Sequence, residues 1–262
     1  MSATYQSLLH EKIALNKYPS EVTPFYISGL NAVPTSTAET LWGNSNLYTF
    51  LTTNMTTPTV SSGSANDTAA GTGARTVYIE GVDSTYTTQS ETVTMNGQTG
   101  VNLVNSYMTI NRIRVLTAGS SDTNAGIIYV GTGVLTSGAP AAGATHGYMA
   151  VGVGVAQSFV YAVPSGYTLI INALTCSQST SATAATNNLW LNTKVNGGPS
   201  VVKYAWASVN TGGSTLNLWP SYLVIEEKTQ LQGQILSSAV VAVLASATGW
   251  LVKNAPTFSQ LF

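Results

Sequence analysis

Leu189-Trp190-Leu191-Asn192-Thr193-Lys194-Val195-Asn196-Gly197-Gly198-Pro199-Ser200-Val201-Val202-Lys203-Tyr204-Ala205-Trp206 reads as strand, turn, strand. Leu189, Leu191 and Val195 alternate with Trp190, Asn192 and Lys194, the period-2 pattern of a half-buried strand. Asn196-Gly197-Gly198-Pro199 then turns the chain. Val201, Ala205 and Val209 alternate with Val202, Tyr204 and Trp206 up to a second turn signal at Asn210-Thr211-Gly212-Gly213.

The same alternation recurs upstream. Val77 and Ile79 alternate with Thr76, Tyr78 and Glu80; Val93 and Met95 alternate with Thr92 and Thr94, and Asn96-Gly97 predicts a hairpin turn. Ile113 and Val115 alternate with Arg112 and Arg114. Many short strands with regularly spaced turn signals predict an all-β chain built as a β-sandwich or jelly roll. Ser61 to Ala74 and Ser137 to Ala144, rich in Gly, Ala and Ser, read as long surface loops. The β region is expected to span 46–262, either as one large sandwich or as two divided near 138–145.

The first residues differ. Glu11, Lys12, Lys17 and Glu21 concentrate charge there, Tyr5, Leu8, Leu9 and Ile13 fall at helical spacing, and Pro19 supplies a stop. This predicts a short amphipathic helix, too short to be stable alone, so it must lie on its own domain or dock as an arm on a neighbour. With the extended stretch containing Pro24 and Pro34, it defines an N-terminal arm over 1–45.

Composition limits function. Of 262 residues 7% are charged, against about a quarter in ordinary soluble domains, and no Asp, Glu, Lys or Arg occurs between Asp122 and Lys194. Thr, Ser, Asn, Gly and Ala fill those places, which suits surfaces that press on other protein, where a buried charge is costly to desolvate. A net charge of −1 supplies no field to attract nucleic acid or anionic lipid. Thr229 to Val252 lacks charge, yet Gln230, Gln232, Gln234, Ser237 and Ser238 interrupt it. It predicts two buried strands with a turn near Ala245 to Gly249, and no membrane span.

Chemistry-bearing motifs are sparse. The single cysteine, Cys176, lies in a strand-like run and reads as a core residue. The histidines His10 and His146 belong to no metal-ligand spacing, and the acidic residues are scattered. A Ser-His-Asp site from His146 and Asp122 has no local sequence support, though triads are assembled in space. Gly71-Thr72-Gly73 and Gly131-Thr132-Gly133 lack the spacing of a phosphate loop. Asn54-Met55-Thr56 and Asn66-Asp67-Thr68 match the glycosylation triplet by chance in a Thr-rich chain. We therefore expect no catalytic residue, no cofactor and no metal. Arg112 and Arg114 share a face, as a small anion site or, more commonly, a solvated face or a pair for carboxylates such as Glu80 or Glu91. Trp190 and Trp206 fall on the polar phase of their strands, the place for a subunit interface or a sugar platform. The interface residues expected are Tyr5, Leu8, Leu9, Ile13, Trp190 and Trp206.

Ser64-Ala65-Asn66-Asp67-Thr68 through Arg75-Thr76-Val77-Tyr78-Ile79-Glu80-Gly81-Val82-Asp83, followed by Ser90-Glu91-Thr92-Val93-Thr94-Met95-Asn96-Gly97, Tyr107 to Val115 and Asn124-Ala125-Gly126-Ile127-Ile128, resembles small virion-associated proteins of tailed phages, particularly marine ones. The resemblance covers about residues 40–130 and brings no catalytic motif. It implies a structural virion protein on the particle surface: a capsid decoration (cement) protein or head fibre, with the major capsid protein and further copies of this chain, as a trimer, for partners. The alternative is a tail or fibre module that binds a host receptor or glycan. A third class, a hydrolase dependent on His146, has no motif behind it.

Overall fold

The computed structural model describes residues 21–44, 46–141, 143–179, 186–209 and 214–254, and for 204–209 and 214–221 only the backbone path. The helix expected near the N-terminus, with Tyr5, Leu8, Leu9 and Ile13, lies outside the described residues. Among those described, every regular element is a β-strand and no helix occurs. The described residues form four sheets of three or more strands, the number of blades in a small propeller, and one two-stranded hairpin; the four sheets share two main cores.

The first core lies between two antiparallel sheets. One has the order β1 (Val22–Asn31), β18 (Val243–Lys253), β13 (Tyr167–Gln178), β16 (Ser214–Ile225). The other has the order β12 (Val160–Ala162), β17 (Thr229–Ser237), β14 (Thr186–Val195), β15 (Ser200–Val209), with β2 (Glu39–Thr40) added to β17. Alternate side chains from both sheets meet between them: Phe25 and Ile27, Leu169 and Ile171, Leu189 and Leu191, Leu231 and Ile235, Ala245 and Ala247. Cys176 is buried in the same core.

The second core involves residues 55–156. One of its sheets has the order β11 (Thr145–Met149), β8 (Ile128–Gly131), β3 (Thr59–Ser62), β6 (Val101–Asn102), and the other the order β5 (Thr88–Thr94), β4 (Ala74–Val82), β7 (Thr109–Ala118). Val77, Ile79, Val93, Ile113, Ile128 and Val130 are buried together there. A small hairpin, β9 (Leu135–Thr136) with β10 (Ala139–Pro140), sits beside β8.

Four expectations need correction. The proposed arm boundary at residue 45 fails, because Val22–Asn31 pairs along its whole length with β18 and supplies Phe25 and Ile27 to the first core. The division expected near 138–145 falls inside the second core; the change of core occurs instead near residues 50–55 and 156–159. Asn96-Gly97 does turn the chain, with Gly97 at φ +60°, where a side chain is disfavoured. However, it closes no hairpin, since β6 pairs with β3 and β5 pairs with β4. Finally, Ala245 to Gly249 is strand rather than turn, and residues 238–242 make the connection. Gly249 is confined there by close packing, because a Cβ at this position would lie 1.9 Å from the Ile170 carbonyl oxygen.

Candidate functional site

Where the two bodies meet, the contact is polar and buried. Leu231 and Ile235 of β17 face the first core, while Gln230, Gln232 and Gln234 turn to the opposite face and are also buried. Gln230 donates to the Leu51 carbonyl at 2.7 Å and accepts from Thr109 at 3.0 Å. Gln232 donates to the Tyr48 carbonyl at 3.1 Å and accepts from Thr40 at 2.6 Å. Gln234 accepts from the Trp190 indole N–H. Asn111 of β7 adds a two-way amide link to Ala162 of β12 at 2.8 and 3.0 Å. Of the glutamines that interrupt an apolar run in the sequence, Gln230 therefore bonds across the junction through Thr109, while Gln232 and Gln234 bond Thr40, Tyr48 and Trp190 on the same side.

Loop 63–73, read from sequence as surface, is fixed by Asp67. This fully buried side chain accepts from Ala74 N (2.6 Å) and Ala125 N (2.8 Å) on one oxygen, and from Ser62 Oγ (2.5 Å) and Gly126 N (2.8 Å) on the other. Asn124 continues the network, donating to the carbonyls of Gly126 and Ala150 at 2.7 Å each and accepting from Gly154 N at 3.1 Å. Two of the four segments that carry the phage resemblance, at Asp67 and at Asn124-Ala125-Gly126, are held by these bonds.

A cleft of about 460 Å³ opens between the bodies. Thr23–Ser28 of β1 line it on one side; Arg112, Arg114 and Glu80 contribute from the other body, and Tyr148 and Tyr161 also line it. Arg112 and Arg114 are exposed on one face of β7. Neither guanidinium makes a hydrogen bond or ion pair with a described residue. Arg112 stands opposite Glu80 in the ladder, but Glu80 accepts from the Tyr78 hydroxyl at 2.9 Å, and Arg114 lies over the Tyr78 ring at 5.6 Å. Glu91 is taken by the backbone N–H groups of Val104 and Asn105 at 3.0 Å each. Of the readings given for this pair, the exposed, solvated face is what β7 presents, and no ion pair to Glu80 or Glu91 forms among the described residues. Burial, with the Glu80 charge adding, holds the Tyr161 hydroxyl in its protonated form.

Other residues singled out in the sequence fall elsewhere. Trp190 is half-buried with its N–H bound to Gln234, so its indole is not an open platform. The backbone of Trp206 pairs with Leu189 on the neighbouring strand, and its side chain lies outside the described residues. His146 is buried, edge-on to Tyr48 with ring centroids 6.4 Å apart, and burial lowers its pKa from the ordinary value. It makes no hydrogen bond to Asp122 or to any described serine. Sequence patterning missed the two most exposed large apolar side chains among the described residues, Val104 and Val134, which sit in connections without periodicity.

No protein-family model matches this chain, and no curated protein does. Comparison with solved structures finds weak likenesses to viral capsid proteins. Infectious bursal disease virus of the Gx strain aligns with 12% identity and a TM-score of 0.25, over 90% of this chain and 72% of that one. T=1 particles derived from the same virus align with 14% identity and a TM-score of 0.18, over 92% and 79%. Scores this low do not establish a shared fold.

Proposed function

We propose that this chain is a structural protein of a virus particle, placed on the capsid as a stabilising, decorating oligomer. The observation that best supports this reading is the strand order of the first body. Taken along the chain, β1, β12, β13, β14, β15, β16, β17 and β18 pass from one sheet to the other at every step except the β14–β15 hairpin. That connectivity supports reading the first body as an eight-stranded jelly roll, an architecture of viral capsid and lectin domains. A propeller would be built differently, because each blade repeats its own compact sheet around a central channel. The second body enters between the first two strands of this roll.

The jelly roll narrows the class without fixing the role. Composition supplies the second support, since a surface poor in charge presents little desolvation penalty to a protein partner. On this reading the partners are the major capsid protein and further copies of the chain, with a trimer as the assembly unit. Copy number tests it: protein quantified in purified particles is expected at hundreds per virion. A few to a few tens would replace the capsid role with a tail or fibre module. Light scattering on the isolated protein at about 10 µM is expected to give a trimer, and a clean monomer would remove the oligomeric part.

A further inference from the structure

Along one wall of the cleft lies β1, an edge strand among the described residues. β1 pairs only with β18, in unbroken register from Val22 to Asn31. The Leu30 N–H donates away from β18, to the Gln157 carbonyl at 3.3 Å. Backbone groups of a strand alternate in direction, so Ser28, Tyr26 and Pro24 also turn their backbone outward. Pro24 has no N–H to offer, and a proline at this phase is the usual mark of an edge. The N–H and C=O groups of Tyr26 and Ser28 remain, without a described hydrogen-bond partner.

At the other end of β1 the space is already filled by one extended strand. Gln157 accepts from Leu30, Ala156 N donates to the Ile113 carbonyl at 2.9 Å, and Val155 bridges Arg114. The 155–157 segment is therefore bonded to both bodies. The cleft opens alongside it, toward the start of β1, with Arg112 and Arg114 across from the edge.

We propose that an extended, acidic peptide segment of a partner polypeptide adds as a strand to β1 at Tyr26 and Ser28 and sets a carboxylate against Arg112 and Arg114. Main-chain bonds to an edge give strand addition its affinity, and side-chain pockets give it selectivity. Here the selective element is a pair of guanidinia that make no ion pair among the described residues, Glu80 in the same cleft being engaged by the Tyr78 hydroxyl, and guanidinia suit bidentate contact. Two arginines and a net charge of −1 favour a single carboxylate-bearing segment over a polyanion. The inference rests on the cleft alone and holds whether or not the chain is a virion protein.

The probe is a blocked hexapeptide of alternating threonine and glutamate, titrated into the full-length protein to about 1 mM at low salt and followed by amide NMR. Expected are shifts and slowed hydrogen exchange at Tyr26 and Ser28, with affinity at least about tenfold lower for the R112A/R114A double variant. The threonine–glutamine analogue should bind comparably weakly. No binding, equal binding of the neutral peptide, or Arg-dependent binding without protection at Tyr26 and Ser28 would each overturn the proposal. Slow exchange at both amides before any peptide is added would do the same, because the edge would then already be occupied.

Discussion

Replacing Asp67 by alanine removes the acceptor for four donors at once: Ser62 Oγ, Ala74 N, Ala125 N and Gly126 N. Asp67, Ser62 and Ala74 are fully buried, so water cannot take over those bonds without opening the loop. Each orphaned buried donor costs about 1–3 kcal/mol, and costs within one network do not add in full. The expected loss for Asp67→Ala is about 3–5 kcal/mol. Asp67→Asn should lose less, about 1–3 kcal/mol. If its amide nitrogen takes the position facing Ser62 and Gly126, the serine hydroxyl can rotate to accept. Only the Gly126 N–H is then left facing a donor.

The probe must report on the right body. All five tryptophans (Trp42, Trp190, Trp206, Trp219 and Trp250) lie outside residues 55–156, so tryptophan emission follows the first body. Urea unfolding should therefore be followed by hydrogen exchange resolved over 61–74 and 124–126, together with far-UV circular dichroism. Asp67→Ala should release protection in both segments and lower the midpoint, with a smaller effect for Asp67→Asn. A cost below about 1 kcal/mol for the alanine variant, or equal costs for the two, would refute the account of Asp67 as the acceptor that holds the two loops together.

Three further outcomes are expected. Gly249→Ala drives a methyl group into the Ile170 carbonyl and should cost about 3 kcal/mol, read as a lowered urea midpoint by tryptophan emission. Gln232→Leu strips the Tyr48 carbonyl of its donor and the Thr40 hydroxyl of its acceptor, and should cost about 2–4 kcal/mol in the same measurement. His146 has its pKa lowered by burial, so as pH falls below about 6.5 the unfolded chain takes up a proton before the folded one. The stability present above that pH should decline as pH drops toward the folded pKa, and His146→Phe should flatten midpoints measured between pH 7 and 5.

Local pattern carried the strands further than their arrangement. Leu189 and Leu191 are buried while Trp190 between them is half-buried, as period-2 alternation requires. Val77 and Ile79 follow the same rule. Partners are a different matter, because they are set by contacts between distant segments. Thr40 meets Gln232 across 192 residues, and β1 finds β18 from the opposite end of the chain. Nothing near Val22 announces that pairing, so an extended, proline-containing stretch reads as an arm. Asn96-Gly97 misled for a related reason: turn chemistry reverses the chain but does not say which strand receives it. Of the cleft, the shared face of Arg112 and Arg114 was legible; the edge they face was not.

The buried polar residues also change what the low charge means. A charge-poor, Thr- and Gln-rich chain reads from sequence as one prepared for contact with other proteins. Much of that neutral polarity is used within the chain itself. Gln230, Gln232, Gln234, Thr40, Thr109 and Asn187 are all buried; Gln230 bonds Leu51 and Thr109, Gln232 bonds Tyr48 and Thr40, and Gln234 bonds Trp190. Apolar residues there would leave the carbonyls of Leu51 and Tyr48 without donors, and charged ones would bring a desolvation cost that a neutral amide avoids. A side-chain amide both donates and accepts, so one residue type can satisfy either demand along the junction. What the cleft offers an external partner, among the described residues, is the strand edge at Tyr26 and Ser28, and across from it two guanidinia that make no ion pair with a described carboxylate.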